Sequence, residues 1–296
     1  MLVLSIVILL SAAVGTVAAI GVLRWPQADP ARSASKALEG RLSRSSRVRR
    51  FLRSRLDPAT TTGLALTLAL LAVVIAGTAM GVVAYMVRTN SGVIRIDLRV
   101  ERWAALHVEG LSLDALRLLT ALGSTSVTIA LAAAAAVYGW WQRRSFSIPL
   151  FLVLVVGGQA LMSTLIKLAV DRVRPDIGPL GVIGTPSFPS GHSTAAAATF
   201  AALAVVLGRN RSARTRAILA GAAAAVAVGV ACSRVLLSAH WFSDVVSGLV
   251  LGWTWCAVCA VAFGGRLLWY GTPAEEAASS PRSSSGGARR PARASG

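Results

Sequence analysis

The sequence is poor in charged residues and nearly free of cysteine, and both shortages narrow its class. Of 296 residues, 14% are charged and 55% are hydrophobic. Soluble domains carry about 25% charged residues, so this composition excludes an ordinary soluble globule. The three cysteines give no disulfide framework. Cys256 and Cys259 form a C-x-x-C inside an apolar run, without the four ligands that zinc needs, and we expect them to be packing residues.

Acidic residues are also scarce, because 12 Asp and Glu stand against 30 Lys and Arg, for a net charge of +18. In a soluble protein this imbalance would indicate nucleic-acid binding. Here the basic residues alternate with long apolar runs, which indicates a membrane protein with no nucleic-acid partner.

Seven apolar runs are long enough, or nearly so, to cross a hydrocarbon core of about 30 Å as helices. They predict an all-α, polytopic membrane helix bundle. The third run has an alternative start after Gly123-Ser124, with the preceding piece as an interfacial helix. The predicted spans are Leu2–Leu23, Thr62–Val87, Leu118–Trp141, Ser147–Val170, Ser193–Leu207, Ala217–Cys232 and Val245–Gly264.

The connections between the spans differ in charge. Segments 24–61, 142–146, 208–216 and 265–296 together carry +16, and the remaining connections carry +2. Since Lys and Arg concentrate on the cytoplasmic side, we predict a cell-membrane protein with an outer N-terminus and a cytoplasmic C-terminus. The first run lacks a preceding basic region, so we interpret it as an anchor and not as a cleaved signal peptide.

The first polar group closes the fourth predicted span. Lys167 and Arg174 are seven residues apart, which places them on one helix face two turns apart, and Pro175 turns the chain away. Two cations on one face form an anion site. The alternative is a snorkelling interfacial pair in which Asp171 neutralises Lys167.

The second polar group opens the fifth span. Ser190, Gly191 and His192 follow Pro189 and precede an alanine-rich run, which predicts a helix start. The free N–H groups and dipole of such a start bind phosphate-like anions, and His192 adds a group that titrates near neutral pH. The alternative is ordinary N-capping beside an interfacial histidine.

The third polar group joins the sixth and seventh spans. His240 and Asp244 are four residues apart and can meet on one helix face. The carboxylate can then hold the Nδ1–H of the ring and leave Nε2 free as a nucleophile, while Arg234 adds a third cation. The alternative is that Asp244 only caps the seventh span.

By the span count, all three groups emerge on the same side of the membrane. Three cations, a helix N-terminus, a His–Asp pair and a second histidine together predict a phosphate-transfer site without metal ligands. The acids of the outer connections form no clustered pair beside the two histidines in the sequence, so we expect no metal and no other cofactor. These acids are Asp97, Glu101, Glu109, Asp114, Asp171, Asp176 and Asp244.

In order and spacing, the three groups resemble the motifs K-x6-R-P, P-S-G-H and S-R-x5-H-x3-D of the type-2 phosphatidic acid phosphatases. Their superfamily includes vanadium haloperoxidases and glucose-6-phosphatase. The resemblance covers about residues 118–264 and implies a six-helix membrane core, so the first span is an addition. The expected regions are an anchor with an Arg-rich cytoplasmic loop (1–61), a first core span with its outer loop (62–117), the catalytic core (118–264) and a disordered cytoplasmic tail (265–296).

The resemblance also implies roles for the site residues. His240 is the expected nucleophile, Asp244 its orienting partner and His192 the general acid and base. Arg172 is expected to support the site from behind. The expected phosphate-binding groups are Lys167, Arg174, Ser190, Gly191 and Arg234.

The implied activity is hydrolysis of a lipid phosphate or pyrophosphate through a phosphohistidine. Candidate substrates are a polyprenyl pyrophosphate, phosphatidic acid and phosphatidylglycerol phosphate, and the sequence does not choose among them. A phosphotransferase that uses an acceptor other than water is the main alternative, and a non-catalytic transporter or scaffold is a remote one. A Gly77–Gly81 G-x-x-x-G is weak evidence for dimerisation, so the oligomeric state stays open.

Overall fold

The computed structural model describes residues 2–24, 61–175 and 185–268. The predicted Arg-rich loop and almost all of the predicted tail lie outside these residues. Within them the chain forms nine helices and no strand. The helices are α1 (Leu2–Arg24), α2 (Thr61–Arg88), α3 (Val93–His107), α4 (Leu111–Ala121), α5 (Thr125–Arg143), α6 (Ser147–Val170), α7 (Gly191–Gly208), α8 (Ala213–Leu236) and α9 (Phe242–Leu268).

Six of these helices are long and apolar enough to cross a membrane, and the bent pair α4–α5 makes a seventh if it is one span. The all-α bundle and its several spans are therefore confirmed for the described residues. Every predicted span has its helix, although α7, α8 and α9 extend beyond the predicted limits at both ends.

Of the two starts predicted for the third span, the structure has the alternative one, after Gly123-Ser124, and not Leu118. The helix breaks at residues 122–124, α4 and α5 meet at 45°, and α5 begins at Thr125 because Ser124 caps it with a hydroxyl 3.4 Å from the Val127 N–H. At the break, a side chain on Gly123 would lie 2.5 Å from Val230 and 2.9 Å from the His192 carbonyl. The chain thus turns where it packs most closely on α7 and α8.

Helix α4 belongs to one end of the bundle. Its Leu116 is fully buried in a cluster with Val3 and Val7 of α1 and with Leu236 and Leu237 at the end of α8. Ala104 of α3 joins the same cluster. Helices α3 and α4 therefore cover the end of the bundle at which α1 begins and α8 ends.

The N-terminal helix α1 is packed into the bundle along α8. A Cβ on Gly15 would lie 2.7 Å from the Gly221 carbonyl oxygen, and a Cβ on Gly221 would lie 2.7 Å from that of Gly15. Backbones approach this closely only where small residues face each other. By contrast, a Cβ on Gly77 or Gly81 of α2 meets nothing within 4 Å, so the described residues show no helix packed against this G-x-x-x-G.

Small residues also bring α9 close to α7. A Cβ on Gly252 would lie 2.5 Å from the Thr194 carbonyl oxygen, and one on Gly248 would lie 2.7 Å from that of Ser190. Ala196, Ala197 and the residues around them on α7 are fully buried at this contact. The starts of α7 and α9 are consequently held side by side, and the second and third polar groups lie there.

Candidate active site

The three polar groups lie at one end of the bundle. This end holds the segment that follows α6, the loop and start of α7, and the connection from α8 to α9. The Ser190 N–H donates to the Asp244 carbonyl oxygen at 3.0 Å, and the Ser187 N–H donates to that of Arg172 at 2.7 Å. These backbone bonds join the second group to the third and to the first.

Lys167 and Arg174 do not share a helix face, so this prediction is wrong. Helix α6 ends at Val170, because Asp171 takes the left-handed conformation (φ 45°) and its N–H closes on the Lys167 carbonyl oxygen at 3.0 Å. Arg174 follows in an irregular segment. Both residues still reach the site, since Lys167 Nζ lies 3.5 Å from the Cβ position of Gly191 and Arg174 reaches His240.

His240 is 3% exposed and meets Arg174 through its outer nitrogen. Arg174 Nη1 lies 3.1 Å from His240 Nε2 and donates to the Ala239 carbonyl oxygen at 2.9 Å. A guanidinium can only donate, so this contact requires a lone pair on Nε2 and places the ring proton on Nδ1. The tautomer is the one that a nucleophilic Nε2 needs.

Asp244 is fully buried, and one oxygen of its carboxylate has two neighbours. Its Oδ2 accepts the Trp241 N–H at 3.1 Å, which caps α9, and lies 3.5 Å from His240 Nδ1. The second distance is too long for a well-formed hydrogen bond, in agreement with the unpartnered state of Nδ1. The carboxylate therefore caps the helix and faces the histidine.

Arg172 lies behind this pair, between two carboxylates. Its Nη1 donates to Asp244 Oδ1 at 2.5 Å, and its Nη2 donates to Asp97 Oδ2 at 2.7 Å. Ser243 donates its N–H to Asp97 Oδ1 at 2.9 Å and its hydroxyl to Asp97 Oδ2 at 2.7 Å. All four residues are at least 93% buried, and we call Asp97, Arg172, Ser243 and Asp244 the anchor cluster.

Asp97 is a residue of the site that none of the three motifs marks, and it shares Arg172 with Asp244. The two aspartates are far apart in sequence, and only the packing of α3 over the start of α9 brings them together. One signal was present in the sequence. Asp97, Glu101 and Ala104 recur at helical spacing, and all three face inward on α3, so an acidic stripe forms the buried side of an amphipathic helix.

Lys167, Arg174 and Arg234 form a second region, the cationic pocket. Arg234 is 6% exposed, and its Nη1 donates to the Thr120 hydroxyl at 3.2 Å. Arg174 Nε lies 3.1 Å from both oxygens of Thr185. Across the described part of the chain no carboxylate is ion-paired with any of the three cations, and Lys167 does not pair with Asp171. Their positive charge is therefore available to an anion.

The start of α7 faces this pocket. Ser190 caps α7, since its hydroxyl oxygen accepts from the Ser193 N–H at 3.5 Å and from the Ser193 hydroxyl at 3.0 Å. Half-buried His192 lies near enough to Arg234, His240, Lys167 and Arg174 for their charges to act on it. The N-capping interpretation of Ser190 is thus confirmed, and its contact with phosphate stays a prediction.

Comparison with known proteins addresses the family. The sequence model of the PAP2 superfamily matches residues 148–267, which include all three motifs. The crystal structure of the first transmembrane PAP2-type phosphatidylglycerolphosphate phosphatase, from Bacillus subtilis, is similar with a TM-score of 0.59 and 27% identity. The matched region covers 65% of this chain and 96% of the Bacillus subtilis chain. The chain belongs to the PAP2 superfamily.

Curated relatives of this PAP2 protein carry lipid phosphatase names. Phosphatidylglycerophosphatase B of Bacillus subtilis is 33% identical over 139 residues, 45% of this chain and 66% of its own. Lipid A 1-phosphatase of Rhizobium johnstonii is 36% identical over 124 residues, 38% and 46% of the two chains. Decaprenylphosphoryl-5-phosphoribose phosphatase of Mycobacterium tuberculosis is 36% identical over 121 residues, which are 38% of this chain and 62% of that protein. The matches thus span about half to two thirds of each relative's length.

Burial shifts the pKa values of two groups in the site, His240 and Arg174. It lowers the pKa of His240 to about 4, although the Asp244 carboxylate opposes the shift. Burial also lowers the pKa of Arg174, again opposed by Asp244. His240 is therefore neutral at physiological pH, with a free lone pair on Nε2.

A cavity of about 530 Å³ opens beside the anchor cluster, between the ends of α2 and α6. Arg88, Asn90, Arg172 and Trp241 line it, whereas His192, His240 and the cationic pocket do not. It adjoins the candidate site and is not the phosphate pocket. No group of three or more His, Cys, Asp or Glu in the described ranges could hold a metal ion.

Proposed function

We propose that this PAP2 protein is a membrane phosphatase that removes phosphate from a lipid phosphate or pyrophosphate through a phosphohistidine on His240. The observation that carries the proposal is the environment of His240. Its unprotonated Nε2 points at Arg174, among cations that have no carboxylate partner in the described chain, and its Nδ1 faces Asp244.

The first step is attack on phosphorus. The Nε2 lone pair of His240 forms the P–N bond while the P–O bond to the lipid breaks, and the electron pair leaves on the lipid oxygen. The ring becomes cationic, and the Asp244 carboxylate beside Nδ1 stabilises it. Burial keeps both groups away from water, which strengthens this interaction.

The cationic pocket holds the non-bridging oxygens. Lys167, Arg174 and Arg234 supply three positive charges, and the N–H groups at the start of α7 add their share of the helix dipole. Ser190 and Gly191 are the groups of that start that we assign to the phosphate. These charges stabilise the transition state, because negative charge on the phosphoryl oxygens must be balanced.

His192 serves as general acid and then as general base. It donates a proton to the lipid oxygen as the P–O bond breaks, and it later takes a proton from the water that attacks the phosphohistidine. That second attack breaks the P–N bond, releases inorganic phosphate and restores neutral His240.

The membrane setting and the relatives support the proposed substrate class. The site lies where the ends of the apolar helices α6 to α9 meet, so a lipid can present its headgroup while its chains stay in the bilayer. The named relatives act on a glycerophospholipid phosphate, on lipid A and on a polyprenyl-linked sugar phosphate. A lipid monophosphate or diphosphate is the shared chemistry.

We also propose that the site faces the outside of the cell, because the predicted cytoplasmic connections carry +16. A cysteine at Glu109, between α3 and α4, should react with a membrane-impermeant thiol reagent in intact cells, and one at Ser212, before α8, should not. The three natural cysteines are first replaced by alanine. The reverse pattern would turn the site towards the cytoplasm.

Purified protein should release phosphate from at least one member of a panel of phosphatidic acid, phosphatidylglycerol phosphate and polyprenyl pyrophosphate. Rapid quenching with a labelled substrate should trap a phosphoenzyme that is labile in acid and stable in base, and the His240→Ala variant should trap none. Label that appears on another acceptor, without release of phosphate, would favour the phosphotransferase alternative. No turnover of any lipid phosphate would overturn the proposal.

A further inference from the structure

Asp97 makes direct contact with the group that holds Asp244, although it lies outside residues 148–267 that match the family. It comes from α3, is 1% exposed, and is fixed through both carboxylate oxygens by Arg172 and by two donors of Ser243. The proposed mechanism assigns it no role.

We propose that Asp97 is a positioning residue for the His240–Asp244 pair and acts through Arg172 and Ser243. This inference rests on the proposed function, because its effect is on the reaction of His240.

The first link is mechanical. Ser243 and Asp244 are neighbours at the start of α9, and the Asp97 carboxylate receives both the N–H and the hydroxyl of Ser243. This clamp fixes the first turn of α9 against α3, and with it the direction of the Asp244 side chain. Asp244 lies 3.5 Å from His240 Nδ1, so a small rotation would take its carboxylate off the ring.

The second link is electrostatic. Arg172 donates to Asp97 and Asp244 at once, so Asp97 balances the charge that Arg172 would otherwise direct at Asp244 alone. With Asp97 in place, the cluster of two carboxylates and one guanidinium keeps a net negative charge for the imidazolium that forms on His240. Without Asp97, the cluster is neutral and stabilises that imidazolium less.

A purely structural role explains this arrangement less well. A buried ion cluster contributes little net stability, because the desolvation of its charges offsets their attraction. The cluster is also not closed on itself, since Asp244 Oδ2 faces away from Arg172, towards His240 and the Trp241 N–H. Asp244 is therefore the group through which a change at Asp97 would reach the ring.

The charged groups that act on His240 come from every neighbouring element, and they decide the expected direction of the pKa change. Asp244 raises the pKa of His240, while Arg174 and Arg234 lower it, and His192 lies close by on α7. Loss of the Asp97 charge leaves more of the positive charge of Arg172 unbalanced. That charge disfavours a protonated ring, so the pKa of His240 should fall further. General loosening would let water in and raise it towards 6.5.

The test compares full-length Asp97→Asn with Asp114→Asn. The control removes an exposed acid that lies 3.5 Å from Arg117 on the same helix. Asp97→Asn should lower kcat by about 10- to 100-fold, as loss of a supporting contact behind a catalytic group typically does. It should change KM by less than about twofold, because the cationic pocket is untouched, and the acid limb of the rate profile should move to lower pH.

Histidine NMR gives a readout that does not need turnover. The chain has only three histidines, and the His240→Ala spectrum identifies the signal of His240. A lower His240 pKa in Asp97→Asn than in the wild type, with no change in Asp114→Asn, supports the inference even if no lipid is found to be a substrate. Lack of lipid turnover in the wild type would count against the proposed function alone.

An unchanged kcat and an unchanged His240 pKa would overturn the inference, as would a shift of that pKa towards 6.5 with lower thermal stability. If Asp97→Asn does not fold, Ser243→Ala decides instead. It keeps all three charges and removes the hydroxyl, which donates to Asp97 at 2.7 Å and accepts from Arg172 at 2.8 Å. The kcat should therefore fall at least about 5-fold, the value of one ordinary hydrogen bond. Wild-type kcat in folded Ser243→Ala would then overturn the inference.

Discussion

The anchor cluster and the cationic pocket lie on opposite sides of His240, and their arginines differ in whether a carboxylate neutralises them. Arg172 of the anchor cluster donates to two carboxylates and is 7% exposed. Arg174, two residues later, touches a threonine, a backbone carbonyl and the histidine, and has no ion pair with a carboxylate among the described residues. An arginine that is paired with carboxylates holds other side chains in position. An arginine without a carboxylate partner keeps its positive charge available to a ligand. Substitutions in the anchor cluster and in the cationic pocket should therefore lower activity in different ways.

The largest effect should come where the two regions meet. His240→Ala removes the nucleophile and should lower phosphate release by at least about 10³-fold, as loss of a nucleophile does in other enzymes. The control is His107→Ala, because His107 stacks on Trp103 and is exposed. Near-wild-type turnover in folded His240→Ala would show that His240 is not the nucleophile. The contrast between the anchor cluster and the cationic pocket would then have no bearing on catalysis.

The next effect belongs to the anchor side. Asp244→Asn keeps the shape of the side chain and should lower kcat by about 10²- to 10⁴-fold, because the imidazolium loses its counter-charge and the ring loses its orientation. The inhibition constant of inorganic phosphate should stay the same or improve, since a negative charge near the pocket is removed. Phosphate inhibition that weakens as much as turnover would place Asp244 in phosphate binding.

The cationic pocket should show the other pattern. Arg234→Ala removes a buried charge that has no carboxylate partner in the described chain and should lower kcat/KM by about 10²- to 10³-fold. The inhibition constants of phosphate and vanadate should weaken in parallel, because both anions use the same charges. Arg117→Ala is the control, because Arg117 is an exposed arginine of α4. Loss of turnover with unchanged anion inhibition would show that Arg234 supports the fold and not the phosphate.

The smallest expected effect is that of a chelator. Lys167, Arg174 and Arg234 offset a phosphoryl charge of about −2 without a divalent ion. Asp244, the carboxylate that faces His240, is already held by Arg172. EDTA should therefore leave the rate unchanged within error, while vanadate inhibits. Activity that is lost in EDTA and restored by Mg²⁺ would mean that the pocket charges are not sufficient.

Most candidate site residues could be predicted because their signals are local. His240 and Asp244 are one helical turn apart, His192 marks a helix start, and ionisable residues at the ends of apolar spans are costly without a function. The contact of Asp97 with Arg172 could not be found this way. Asp97 is 75 residues from Arg172, and no spacing rule relates a position on one helix to a segment that follows another.

The sequence by itself determined the helical spans, because the apolar length that crosses a bilayer can be counted along the chain. It also determined which polar residues lie at their ends. Only the tertiary structure decided where α6 stops and which arginine is compensated, since Asp171 turns the chain after Val170 and α3 brings Asp97 to Arg172. Charge compensation depends on distance in space, and the packing of α3, α7 and α9 sets those distances.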